Sequence, residues 1–124
     1  ALGLCRSERK SKESPMKDTL DLTAAPQDLS ALISVQPGSV VSRTLINKPA
    51  GTLTLFGFDA GEGLSEHTAP FDALVHVLDG AADVRIGLNT HTVLAGQVVL
   101  LPANVPHALR ATSPFKMLLT MIRA

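Results

Sequence analysis

Four histidines, His67, His76, His91 and His107, are the residues of this 124-residue chain whose type is best suited to chemistry. Imidazole suits Zn, Fe, Ni, Cu or Mn, and a catalytic divalent centre normally draws on at least three protein donors. Three of the four histidines, His67, His76 and His107, stand in two blocks punctuated by glycine and proline. His67 follows Gly61 after five intervening residues, in a block GEGLSEHTAPFDALVHVLDG that closes on Gly80. His107 ends the block GQVVLLPANVPH, in which Pro102 follows Gly96 after five intervening residues. Other chemistries find little footing. Ser39, Ser42, Ser65 and Ser113 lack the strand-turn-helix setting of a nucleophilic serine. Cys5, the single cysteine, sits beside a charged stretch and is a poor nucleophile candidate. No glycine-rich phosphate loop opens a helix, and no aromatic platform for single-stranded nucleic acid exists.

The two blocks resemble the two signature motifs of the cupin superfamily. The first motif runs from Gly61 through His67 to Gly80, with Ala69 where the family has a second histidine and Ala73 where it has a glutamate. The second matches at Gly96, Pro102 and His107, with Asn104 in place of a glycine and Ala111 in place of an asparagine. The resemblance implies an all-β fold, a double-stranded β-helix of the jelly-roll type. It also implies that His67 and His107 meet inside the barrel as contacts to a metal (Zn, Ni, Fe or Mn) or to a small-molecule ligand. Ala69 and Ala73 remove two donors and leave space, which favours binding or sensing a small organic molecule, with weak or absent metal binding. The rival is a metal-dependent enzyme, an oxygenase or isomerase, that completes its site with Asp72 or His76. If Ala73 occupies the inward glutamate position, strand alternation turns Val75 and Val77 inward and His76 away, unless a bulge intervenes. Asp72 stands one position before the glutamate site, where alternation is least reliable. His91 matches no ligand position and reads as surface, and Glu62 and Glu66 read as solvated loop residues. Pro102 and Pro106 restrict the backbone that presents His107. Asn104 tolerates a left-handed backbone better than most residues, which suits it to a glycine position.

The elements that must carry these residues read as short strands. Apolar patterning and turn residues predict strands over 39–47, 52–60, 73–79, 82–86, 90–94, 97–101, 108–111 and 115–122, with a bend at Gly61 and Gly63. Regular spacing of this kind favours an antiparallel sandwich or barrel. One short helical turn is expected over 28–33, after Pro26. FKMLLTMI (115–122) is apolar on both strand faces, so one face fills the barrel and the other meets another sheet. A second copy of the chain is the simplest supplier of that surface, giving a homodimer.

Length and composition bound the rest. The chain suffices for a single core, expected over 17–124, and hydrophobic residues make up 45% of it. With no Trp or Tyr and four Phe, that core must be largely aliphatic. Eleven basic and eleven acidic residues balance, which argues against a nucleic-acid footprint. Residues 1–16 are polar, carry four basic and two acidic side chains, and include Pro15, so they read as a disordered tail. Met16 is a candidate natural start. No run reaches membrane-spanning length and the apolar start is too short for a signal-peptide core. A lone cysteine forms no internal disulfide, and a cytoplasmic location is the default expectation.

Overall fold

The computed structural model describes residues 21–123. The expectations for residues 1–16, Cys5 and Met16 among them, lie outside the described residues. A short 3-10 helix, Leu29–Leu32, precedes the strands. These are β1 (Val40–Lys48), β2 (Gly51–Phe58), β3 (Gly63–His67), β4 (Asp72–Asp79), β5 (Ala81–Ile86), β6 (Asn89–Leu94), β7 (Val98–Leu101), β8 (His107–Arg110) and β9 (Phe115–Ile122). They pair into two antiparallel sheets, ordered β1-β2-β9-β4-β7 and β3-β8-β5-β6. This is the jelly-roll arrangement that the motifs imply.

The anticipated strands stand within two residues of their expected bounds, and β3 corrects the reading of 61–63 as a simple bend. GLSEH carries one aliphatic residue, Leu64, and its pairing with β8 shifts register between Leu64 and His67. Period-2 alternation therefore never develops in it. Pairing with β8, rather than local propensity, makes this segment a strand.

The core lies between the sheets. Inward positions of β4, β5 and β9 are buried in alternation: Ala73, Val75 and Val77; Ala82 and Val84; Phe115 and Met117. Each such side chain contributes roughly 1.5–3 kcal/mol when fully buried and less for alanine. The buried core is aliphatic apart from Phe58 and Phe115, whose rings stack with centroids 4.5 Å apart.

The outer face of the five-stranded sheet is divided. Residues 28–34 cross one part of it: the Arg43 guanidinium donates to the Leu32 carbonyl (3.1 Å) and the Lys116 ammonium to that of Ser30 (2.8 Å). Leu55, which pairs with Arg43 and Leu118, is fully buried on this side. Beyond this strap a single register row crosses all five strands, Ile46–Leu53–Thr120–Leu74–Leu100. Ile46, Leu74 and Leu100 of that row are exposed, as are Val98 and Ile122 nearby. No helix among the described residues is long and apolar enough to cross a membrane.

Candidate functional site

His67 ends β3 and His107 begins β8, and the two are register partners. Their rings meet edge to face, with centroids 4.3 Å apart and Nε2 atoms 3.0 Å apart. His107 is buried and His67 is exposed, so the pair spans the passage from the interior to solvent. Burial, and secondly the charge of His67, hold His107 below the ordinary histidine value; the Val105 carbonyl acts in the opposite direction.

The ring nitrogens can be assigned from their partners. His67 Nδ1 lies 2.8 Å from the Ser65 carbonyl and His107 Nδ1 lies 3.2 Å from that of Val105. A carbonyl only accepts, so both Nδ1 atoms act as donors. A neutral imidazole protonated at Nδ1 has a bare lone pair at Nε2. Two such lone pairs face each other here. Satisfying both carbonyls and the Nε2 contact needs three protons, and two neutral rings carry two. The pair is thus an acceptor couple that calls for a third proton, a hydrogen-bond donor or a Lewis acid.

The cavity beside this pair has a volume of about 60 Å³. Its walls come from Leu64, Ala69, Phe71 and Ala73 on one side of the chain order, and Leu101, Leu109, Met117, Leu119 and Met121 on the other. Among the described residues the histidines are its only polar side chains. Ala69 and Ala73 are wall positions, as their place in the first motif implies. The later residues match no motif position. Alternation along 115–122 singles out Met117, Leu119 and Met121, but nothing in the pattern says which apolar face meets the histidines.

The other candidates stand elsewhere. Asp72 is on the rim, where its carboxylate accepts the Ala103 N–H at 2.8 Å, and it does not line the cavity. His76 pairs with Leu118 and Val98 on the outer face of the five-stranded sheet, opposite in direction to Val75 and Val77. His91 is exposed on the edge strand β6. Glu66 belongs to β3 rather than to a loop, and forms an ion pair with Arg85. Asn104 is the one described non-glycine residue in the left-handed region, at φ 65, and its N–H donates to the Ala69 carbonyl at 2.7 Å. That bond and the Asp72–Ala103 bond clamp the loop before His107 to the loop after His67.

A metal centre of the kind the cupin motifs imply is not completed by these residues. Among the described residues no group of three or more His, Cys, Asp and Glu side chains is placed to hold an ion. Two neutral imidazoles supply no negative charge against a dication, and Ala69 and Ala73 supply no donor.

A family model described as the cupin domain matches residues 54–122, and the chain belongs to that family. A conserved protein of unknown function from Streptococcus pyogenes is 32% identical, covering 90% of this chain and 96% of that one, with a TM-score of 0.80. A cupin 2 conserved barrel domain protein from Leptotrichia buccalis is 41% identical with a TM-score of 0.74, covering 77% of this chain and 46% of that longer one. A salicylate 1,2-dioxygenase from Pseudaminobacter salicylatoxidans shares the fold at 20% identity and a TM-score of 0.63, covering 72% of this chain and 27% of that one. Comparison with curated proteins gives no match.

Proposed function

We propose that this chain is a cytoplasmic, homodimeric cupin that binds or senses a small molecule in the cavity between its sheets, with metal binding weak or absent. One observation carries the reading: an apolar cavity whose only polar side chains among the described residues are His67 and His107, their Nε2 atoms converging. A few polar groups in an apolar concavity fix a ligand's orientation while its body supplies the buried surface. The exposed apolar row on the five-stranded sheet supports the homodimer, since an unpartnered patch of this kind favours association.

A second reading, a metal-dependent oxygenase or isomerase, draws on the same two histidines. Both Nδ1 atoms are tied to backbone carbonyls and both Nε2 atoms point to one place, the orientation that outer hydrogen bonds give to ligating histidines. Its third donor is the difficulty. Asp72 must release the Ala103 N–H to contribute, and His76 faces away.

Calorimetric titration of Ni²⁺ or Zn²⁺ into the parent and into an Ala69→His/Ala73→Glu variant separates the two. The variant gains one nitrogen and one anionic oxygen donor, so it should bind at least tenfold more tightly. Equal affinities, or metal that stays with the parent through dialysis against a chelator, would mean that the native site is complete by another route, with Asp72 and His76 the first residues to mutate, and would favour the second reading.

A further inference from the structure

Resting on the binding reading above, we infer that the ligand is a short neutral alcohol, its hydroxyl donating to one Nε2 of the His67–His107 acceptor couple and its carbon chain filling the apolar cavity. The head group follows from the ring nitrogens. Both Nδ1 protons are engaged by Ser65 and Val105, so what remains toward the cavity is two converging acceptors. An acceptor-only head, such as an ether or ketone, leaves those lone pairs opposed and unsatisfied.

Charged heads are disfavoured from both sides. Among the described residues no lysine or arginine lines the cavity to receive a carboxylate. Arg85 is paired with Glu66, and Arg110 is exposed in the outward register row opposite Asp83. Nor does a carboxylate of the described residues line it to receive an ammonium, since Asp72 is turned to the Ala103 N–H at the rim. An ion buried without a partner costs far more than a hydroxyl that donates a hydrogen bond.

The body follows from size. The cavity of about 60 Å³ is less than half of the ~150 Å³ that accommodates benzene in a protein core. A ring is excluded, and a chain of about two to four carbons fits, the upper end using the flexibility of Met117 and Met121.

The two cavity methionines provide the readout. Protein labelled with ¹³C at the methionine methyl groups is titrated with propan-1-ol, its isomer methoxyethane, propanoate and propylammonium, the signals being assigned with Met117→Leu and Met121→Leu. Propan-1-ol should shift both signals saturably, and methoxyethane should bind about tenfold more weakly, since it has the same atoms and no donor. In His67→Leu/His107→Leu, which removes both Nε2 acceptors, the preference for the alcohol should disappear. Equal affinity for alcohol and ether, or tightest binding of propanoate or propylammonium, would overturn the inference while leaving the cavity as a binding site. Failure of all four probes to shift either methionine would overturn the inference and the binding reading together.

Discussion

Ala73 projects from β4 into the cavity, and replacing it with valine adds two methyl groups on the wall opposite Leu101. The gain can be worked in two ways. A cavity of about 60 Å³ costs about 1.4 kcal/mol at roughly 24 cal/mol per Å³. Two buried methyl groups contribute about 1.6 kcal/mol at roughly 0.8 kcal/mol each. The two routes agree, and a β-branched side chain suits a strand position. Part of the gain is lost in crowding against neighbours such as Met117, so Ala73→Val should stabilise the domain by about 1 kcal/mol. For a domain of this size that raises Tm by about 4–8 °C. Thermal unfolding followed by circular dichroism, with urea midpoints at constant m, gives both quantities. The same variant should no longer respond to propan-1-ol. A fall in Tm of more than about 3 °C would show that the wall has no room to give, and the volume argument would fail. A rise in Tm with alcohol binding intact would place the ligand elsewhere.

Three further outcomes are expected. Because His107 is held below its ordinary value near 6.5, chiefly by burial, the unfolded chain takes up that proton more readily; stability should be full above about pH 6.5 and fall as pH drops through that value toward the folded one. Urea midpoints at pH 7.5 and 5.5 should show this loss, reduced in His107→Gln, and an unchanged pH dependence in the variant would refute the assignment. Light scattering should give twice the chain mass of 13.0 kDa for the parent and a monomer for Leu74→Lys/Leu100→Lys; a monomeric parent would remove the dimer. Gly80 has φ 78, and a Cβ there runs into the Pro114 carbonyl oxygen, whereas Gly61 at φ 86 has nothing within 4 Å of an added Cβ. Gly80→Ala should therefore cost about 2–4 kcal/mol and Gly61→Ala about 1–2 kcal/mol, with equal losses in Tm counting against the packing argument.

The strands were legible because hydrophobic pattern and turn residues are local signals, whereas the inward direction of Ala73, Val75 and Val77 was legible only from Ala73's place at the motif's glutamate position. The left-handed Asn104 was legible from its place at a motif glycine together with asparagine's tolerance of that backbone. β3 was not, because its apolar content is one leucine and its register shifts beside His67. The walls of the cavity were only half legible. Ala69 and Ala73 fall in a motif, while Leu101, Leu109 and Met117 reach the site through pairing between strands far apart in sequence. The Glu66–Arg85 pair was invisible for the same reason, since the two residues meet only when β3 lies beside β8 and β8 beside β5.

The position of β9 has a consequence for how the molecule is made. It is the last described strand, yet it lies in the middle of its sheet, pairing with β2 on one side and β4 on the other, and those two strands do not pair with each other. During synthesis the β1–β2 hairpin and the segment from β4 to β7 therefore emerge as separate half-sheets. Each has an open inner edge until residues 115–122 arrive. Phe58 waits through the same interval for Phe115, its stacking partner. Sequence-distant pairing of this kind closes slowly, and unpaired strand edges are templates for joining neighbouring chains. Changes that weaken the pairing of β9 with β2 and β4 should accordingly be felt first as lost soluble yield.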